Sequence, residues 1–359
     1  MRILQLIDSL EAGGAERMAV NYANALTDEI AFSGLVATRK QGPLVEQLDE
    51  KVKYLFLKRK STFDVSAVFR LQDFVKKNKV DVVHAHSSSF FLGVLLKIIY
   101  PKVQLIRHDH YGNSEFLDKR PSLILSVTKF FFSGVIVVNQ QLKIWSQEKL
   151  KIKNCISLSN FYFQERNSNK QTTLEGLSGK RIVCLANLRS QKNHGLVLQV
   201  AKILKNTHSD WSFHLVGKDW EDAYSEKIKS EISASGLEQT VFLYGAQLDV
   251  SNILRQSTIG ILTSKSEGLP VALLEYGWQQ KPVVVTAVGE IPLVIQDGVN
   301  GFLVPSEDIE LFYAALVRLI VNHQLQDDFG SKLYQTVTEV FSARELIKKY
   351  LNWLANNQE

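Results

Sequence analysis

The sequence predicts an α/β protein with two doubly wound parallel sheets, and three observations lead there. Short runs rich in Val, Ile and Leu alternate with segments of helical length, the pattern of successive strand–helix units whose strands are buried on both faces. The alternation occurs twice, separated by "QERNSNKQTTLEGLSGK" (164–180), which has almost no large apolar residue and reads as a linker with its flanks. The chain has 359 residues, more than one core usually organises, which sets the expectation at two domains.

In chain order, the first half offers strands at 2–7, 32–37, 52–57, 80–84, 104–107, 134–138 and 155–158, with helices between most of them. The second half offers strands at 181–186, 212–216, 241–244, 259–263 and 283–286. The resulting division is a first domain at 1–165, a linker at 166–179, a second domain at 180–340 and a terminal helix at 341–359. That helix is read from Leu346, Tyr350, Leu351 and Leu354, which recur at helical spacing, and it is expected to pack back on the first domain. Nothing repeats at a solenoid period. Two such domains facing each other leave a cleft at the carboxyl ends of their strands, where sheets of this type bind ligands.

Composition narrows the class. Hydrophobic residues make up 45% and charged residues 22%, the balance of a folded soluble protein rather than a disordered one. The opening "MRILQLIDSLEAGG" meets Asp8 and Glu11 before a long apolar region develops, so no secretory signal fits and a cytoplasmic protein is expected. The longest apolar stretches, "FFLGVLL" (90–96) and "FFFSGVIVV" (130–138), fall well short of the ~20 residues of a spanning helix. Cys155 and Cys184 each sit in an apolar strand and read as buried thiols with no role in a disulfide or a metal site.

The net charge of +5 conceals an asymmetry. Residues 1–167 hold 24 Lys and Arg against 16 Asp and Glu, a net +8, while residues 168–359 hold 18 against 21, a net −3. The basic half suits an anionic partner or an anionic membrane surface; the alternative is a solvated surface with a modest lysine excess. No nucleic-acid partner is expected.

Four loops carry candidate chemistry. After the first strand, Gly13 and Gly14 precede a helix with Met18, Val20, Tyr22 and Leu26 as its apolar positions. Glycines let backbone approach a ligand and a helix amino terminus offers N–H groups to phosphate, although a plain strand-to-helix turn reads equally well. The spacing is not that of the dinucleotide fingerprint. In "LANLRSQKNH" (185–194), Arg189 and Lys192 stand just before a helix, against the helix dipole unless an anion sits there; two exposed surface cations are the alternative. In "SEGLPVALLEYGWQQ", Glu267 lies in a loop, Pro270 opens a helix and Glu275 stands one turn above Val271, so both carboxylates can address one bound molecule while amides after Leu269 hold a phosphate. The competing reading makes Glu267 a dipole-complementing loop residue and Glu275 a solvated charge. In "IRHDHYG" (106–112), His108 and His110 leave a strand end, with His84 and His86 on the preceding strand. A metal site is one reading, but no cysteine or ordered carboxylate accompanies them, and polar contact with a ligand is preferred.

Taken together, "GGAER", "DVVHAH", "RHDHYG", "RSQKNH" and "SKSEGLPVALLEYGWQQKPVVVTAVGEIPLVIQDGVNGFLVP" (264–305) occur in the order found in the group-1, family-4-like glycosyltransferases, and the last resembles that family's E-x7-E signature. The resemblance runs along nearly the whole chain. It implies the GT-B fold of two Rossmann-like domains facing a cleft, and transfer of a sugar from a UDP- or GDP-sugar to a saccharide or lipid-linked saccharide with retention of anomeric configuration. No cofactor and no metal are implied. Bacterial envelope polysaccharide assembly is the implied setting, at the inner face of the membrane.

By the same resemblance, Glu275 would accept the ribose hydroxyls and Glu267 would contact the transferred sugar, helped by amides over 269–272, Leu269, Pro270 and Val271 among them. Lys192 matches the residue that neutralises the donor diphosphate. Gly13 and Gly14 match the loop over the phosphates that also shapes the acceptor side. His108 matches the active-site histidine, with His110 a competitor placed on the acceptor side. Two positions depart from the pattern: Asn187 stands where the family has arginine, leaving Arg189 as its substitute, and Trp278 stands among small residues, expected to fill space against the sheet. The first half would face the acceptor, with "FLKRK" (56–60) and "FFLGVLLKIIYPK" (90–102) as its apolar-basic stretches, or the second of these is a buried helix ending in lysine. A sugar-nucleotide epimerase of the same fold and a non-catalytic sugar-nucleotide binding protein are the alternatives.

Overall fold

The computed structural model describes residues 1–112, 114–163 and 171–356, with nothing said of the side chains of 114–116. The chain divides into two compact units, Met1–Arg166 with Ser342–Glu359, and Asn167–Phe341. The expected linker at 166–179 falls over 166–170 outside the described residues.

The first unit alternates strands and helices: β1 (Arg2–Ser9), α1 (Gly14–Ala25), β2 (Phe32–Lys40), β3 (Lys53–Phe56), α2 (Val65–Lys77), β4 (Val82–His86), α3 (Phe90–Ile99), β5 (Gln104–Asp109), α4 (Leu123–Thr128), β6 (Gly134–Val137), α5 (Gln140–Glu148) and β7 (Cys155–Ser157). The seven strands form one parallel sheet in the order β3-β2-β1-β4-β5-β6-β7. Its direction of winding reverses between β1 and β4, so the loops leaving these two strands diverge and open a crevice at their carboxyl ends. On one face, Leu4, Leu6, Val83, Ala85 and Leu105 pack under α2 and α3 with Leu71, Val75, Leu92 and Leu96.

The second unit contains β8 (Arg181–Leu185), α6 (His194–Thr207), β9 (Ser212–Val216), α7 (Ala223–Ala234), β10 (Val241–Leu243), α8 (Val250–Gln256), β11 (Ile259–Leu262), α9 (Val271–Trp278), β12 (Val283–Thr286), α10 (Ile291–Val294), β13 (Phe302–Val304), α11 (Ile309–Ile320) and α12 (His323–Val340). Its parallel sheet runs β10-β9-β8-β11-β12-β13, with the reversal between β8 and β11. The strand β13 escapes a reading of the sequence because "GFLV" offers only three strand residues after a turn. Pairing with β12, which aligns Val284 with Phe302 and Thr286 with Val304, is what holds it extended.

The chain then returns to the first unit. Tyr162 bridges Ser342, and α13 (Ala343–Asn356) buries Leu346, Ile347, Tyr350 and Leu354. Its Trp353 indole donates to Asn154 Oδ1 at 3.1 Å, and the Tyr350 hydroxyl meets His84 Nδ1 at 3.1 Å. A polar contact of a terminal helix with a strand more than two hundred residues earlier is a tertiary fact that helical spacing alone does not contain.

Candidate active site

The most ordered constellation lies at the β8/β11 reversal. After β8 the chain makes a 3-10 turn, Ser190–Lys192, and Asn193 adopts a left-handed conformation (φ 53°) before α6. Three contacts among those that fasten this loop to the one after β11 are Gln191 Nε2 donating to Ser266 O at 2.9 Å, Lys265 N donating to Gln191 O at 2.8 Å, and the Thr263 hydroxyl donating to Lys192 O at 2.9 Å. Lys192 Nζ therefore reaches Glu267 Oε1 at 2.5 Å, and the Ser264 hydroxyl donates to the same oxygen at 2.6 Å. Glu267 is 4% exposed, and the Lys192 side chain 21%. The carboxylate is compensated by a cation and a hydroxyl, the condition under which a buried charge is tolerated, and the cation keeps one side open to solvent.

The helix carrying Glu275 is held by its neighbour Tyr276. The Tyr276 hydroxyl accepts from Leu185 N at 2.8 Å and is shared between the carbonyls of Ile261, at 3.1 Å, and Val183, at 3.2 Å, which locks α9 across both central strands. Gly260 makes room for it: a Cβ there would lie 2.8 Å from the ring. Burial drives the Tyr276 phenol far above its ordinary range, so it remains a neutral hydrogen-bonding group. Glu275 sits in the second turn of α9 and is 7% exposed. Pro270 is extended (φ −69°, ψ 127°) and precedes the first helical residue, Val271, while Leu269 and Val271 are buried. Trp278 lies tilted against Tyr334 of α12 at 5.8 Å between ring centroids; it packs on a helix, and Tyr276 is the aromatic that lies on the sheet.

A third loop, after β12, completes this constellation, and sequence reasoning misses it. Glu290 N donates to Gly268 O at 3.0 Å, and Gly289 adopts φ 57° with its Cα pressed against the Glu267 backbone, where a Cβ would lie 2.1 Å from the carbonyl oxygen. The signal available was a Gly-Glu pair at a strand end before Ile-Pro, too common to assign alone.

Of the two cations read after β8, Lys192 joins Glu267 and Arg189 takes another position. Arg189 is exposed, with its guanidinium 4.6 Å from the Trp220 ring centroid, beside Lys218 at 4.1 Å on the same ring. Asn187, at the position where arginine was expected, accepts from Lys218 N at 2.8 Å and so ties the β8 loop to the β9 loop. The adjoining His194 is buried between Tyr224 and the Ala186 carbonyl, and burial lowers it to about 4, so it is neutral at pH 7. Cys184 is free and buried, its thiol pushed up to about 12 by burial; Cys155 is also free.

In the first unit, Gly13 caps α1 in an extended conformation and Gly14 is its first residue. The Glu16 carboxylate folds back over Gly13, so a Cβ there would meet it at 2.3 Å, whereas one on Gly14 would meet nothing within 4 Å. The four histidines occupy the same sheet face. His84 Nε2 lies 3.1 Å from His108 Nδ1, and His86 Nδ1 lies 2.9 Å from His110 Nε2. Tyr22 meets His84 and His108 edge-on, Tyr350 stacks on His84, and Phe161 packs edge-on against Tyr22. His108 is 1% exposed, so it cannot present a ring edge to a ligand without rearrangement; His110, one strand position beyond β5, is only half-buried. The candidate contact residue at this strand end is thus His110, and His108 is the imidazole it stacks on, 3.9 Å between centroids.

Among the described residues, His84, His86 and His108 bring one ring nitrogen each within 4.8 Å of one another. Those rings are linked in hydrogen-bonded pairs, while His108 Nε2 has no hydrogen-bond partner among the described residues. Beside them, Asp109 is buried with Arg107 at 3.0 Å and Arg120 at 2.8 Å; burial by itself would raise its carboxyl, and the two guanidinium groups hold it at about 2.

Two parallel sheets, each doubly wound, with an ion pair and a buried glutamate at the second reversal point, define a GT-B-like protein. Residues 12–157 match the model for glycosyltransferase family 4 and residues 165–336 that for glycosyl transferases group 1, and the chain belongs to this family of glycosyltransferases. The amylovoran biosynthesis glycosyltransferase AmsD of Erwinia amylovora is 25% identical over 367 residues, covering 99% of each chain. The UDP-Gal:alpha-D-GlcNAc-diphosphoundecaprenol alpha-1,3-galactosyltransferase of Escherichia coli is 27% identical over 331 residues, 85% of this chain and 84% of that one. Among solved structures, Anabaena HepE in complex with UDP-glucose superposes with a TM-score of 0.79 at 18% identity, covering 99% of this chain and 100% of that chain, a likeness of fold.

Proposed function

We propose that the protein transfers a hexosyl group from a UDP-sugar to a saccharide or lipid-linked saccharide in bacterial envelope polysaccharide synthesis, with retention of configuration. The observation that carries this reading is the Lys192–Glu267 pair at the β8/β11 reversal, next to the helix that bears buried Glu275. The Escherichia coli galactosyltransferase, with its UDP-linked donor and diphosphoundecaprenol-linked acceptor, supports a UDP-linked donor over a GDP-linked one and a lipid-linked acceptor.

Cleaving the anomeric bond to a nucleoside diphosphate develops negative charge on the leaving phosphate. Lys192 supplies a cation there without a divalent metal, and the first amides of α9 supply preorganised donors. Glu267, neutralised by Lys192 and Ser264, accepts from sugar hydroxyls and fixes their orientation. Glu275 accepts from the ribose hydroxyls; with a carboxylate both acceptor oxygens are available, with an amide only one. In the first unit, His110 takes the contact assigned by resemblance to His108, because it alone of the stacked pair reaches the surface.

The test is nucleoside diphosphate release from a panel of UDP- and GDP-sugars, with and without membrane extract, for wild type and Glu275→Gln. Donor-specific release that falls roughly 10²-fold or more in the variant supports the transferase. Conversion of the donor to an altered sugar nucleotide would establish an epimerase instead, and tight donor binding with neither product a binding protein. The anomeric proton signal of the product reads retention or inversion directly.

A further inference from the structure

The histidine cluster contains two hydrogen-bonded chains that differ in one respect. In the first, the Tyr350 hydroxyl meets His84 Nδ1, and His84 Nε2 meets His108 Nδ1. A hydroxyl both donates and accepts, so this chain has no fixed direction. In the second, Gln5 Oε1 lies 2.8 Å from His86 Nε2, and His86 Nδ1 lies 2.9 Å from His110 Nε2. A carboxamide oxygen only accepts, so with the Gln5 carboxamide turned oxygen-first to His86, its own nitrogen having no hydrogen-bond partner among the described residues, the direction of the second chain is set at its buried end.

Counting protons outward makes the consequence definite. His86 must carry its hydrogen on Nε2 to donate to Gln5. Burial holds His86 well below its ordinary value and lowers His110 to about 4, so each ring carries one proton at pH 7. His86 Nδ1 is then a lone pair, and His110 must donate to it from Nε2. The remaining nitrogen of His110, Nδ1, is left as an acceptor. The ring cannot turn away from this arrangement easily, because it stacks on His108 at 3.9 Å and on His86 at 5.1 Å between centroids.

We propose that Gln5 and His86 are positioning residues that fix His110 as its Nε2–H tautomer, so that its Nδ1 accepts a hydrogen bond from a substrate hydroxyl. His110 in this state neither donates to a phosphate oxygen nor acts as an acid. That the hydroxyl belongs to a sugar rests on the transferase reading above; the order of protons in the chain does not.

The experiment is a two-bond proton–nitrogen correlation spectrum of the full-length protein labelled with 15N-histidine, at pH 7.5, where each neutral tautomer gives its own pattern. The expected result in the wild type is an Nε2–H pattern for both His86 and His110. Gln5→Leu, which keeps the volume and removes the acceptor, is expected to leave His110 averaged between two tautomers and to lower kcat/KM for the donor about tenfold. His86→Asn, which places an amide oxygen near the old Nδ1 position, is expected to retain the Nε2–H pattern at His110, whereas His86→Leu loses it. An Nδ1–H pattern for His110 in the wild type, or an unchanged His110 pattern in Gln5→Leu, overturns the proposal. Because the wild-type spectrum decides the direction alone, a poorly folding variant does not protect the idea. Should the tautomers be as expected while no sugar nucleotide is consumed, the chain of positioning residues stands and the transferase reading falls.

Discussion

Lys192 and His108 carry opposite lessons about single residues. Both stand in motifs, and motif position locates the strand end from which a side chain leaves but not how deeply that side chain lies. Lys192 lands on Glu267, whereas His108 lands under His110, because β5 continues through Asp109 and only the next same-face position reaches solvent. The buried cluster has a measurable titration. Burial depresses His84, His86 and His108 well below 6.5, and His110 to about 4. In the unfolded chain these rings protonate near 6.5, so below that pH the unfolded state binds more protons than the folded one. Their stabilisation is complete above about pH 6.5 and is lost as pH falls toward the folded values, each histidine adding a slope of up to about 1.4 kcal/mol per pH unit. Urea unfolding at pH 7.5, 6.5 and 5.5 is expected to show a steep loss between the last two. Equal stability at all three would rule out a neutral cluster.

Elements set the next level of control. The β12 loop acts on Glu267 through backbone, with Gly289 at φ 57° against the Glu267 carbonyl. Gly289→Ala adds a Cβ both in a disfavoured backbone region and in contact with that carbonyl, so the loop must shift. We expect a destabilisation of about 1–3 kcal/mol and a loss of kcat/KM that is larger than Ala substitution at exposed Arg189 produces. Near-native kinetics in Gly289→Ala would show that the β12 loop does not position the glutamate. The basic segment before α2 acts differently. Arg59 is buried and donates to the carbonyls of Ser61 and Thr62, leaving Lys58 and Lys60 exposed beside Phe63, 71% exposed, and Val65 and Phe69 of α2. The Phe63 and Phe91 rings meet edge-on at 5.5 Å, which joins the segment before α2 to α3, and α3 buries Leu92 and Leu96 while exposing Ile98. Such an apolar surface with lysines at its margin suits an anionic lipid face. Co-sedimentation with vesicles containing anionic lipid is expected, with binding reduced several-fold by Lys58→Glu with Lys60→Glu; equal binding to neutral vesicles would remove the electrostatic part of this idea.

At the scale of the whole molecule, the donor reading predicts where a ligand changes the structure. No helix of the described residues is long and apolar enough to cross a membrane. UDP at about 100 times its Kd should stabilise the protein by about 2.7 kcal/mol. Its hydrogen-exchange protection should fall on the loops after β8, β11 and β12. Lys192→Ala is expected to weaken both effects and to lower kcat/KM roughly 10²–10³-fold. Protection confined to the loops after β1 and β4 would move the nucleotide to the other unit and remove Lys192 from the phosphate.

By itself the sequence determined twelve of the thirteen strands among the described residues, their grouping into two βα series and the loops that leave the strand ends, because strand periodicity, glycine turns and helix starts are local properties. The order of those motifs also carried the family. Tertiary structure decided the rest. It placed Lys192 on Glu267 by bringing β8 beside β11, brought Gly289 under the Glu267 backbone and tied Asn187 to Lys218. It also gave Gln5 a partner 81 positions away in His86. Those partners are joined by sheet order and register, which bring distant strand ends together, and no local pattern encodes which side chains then meet.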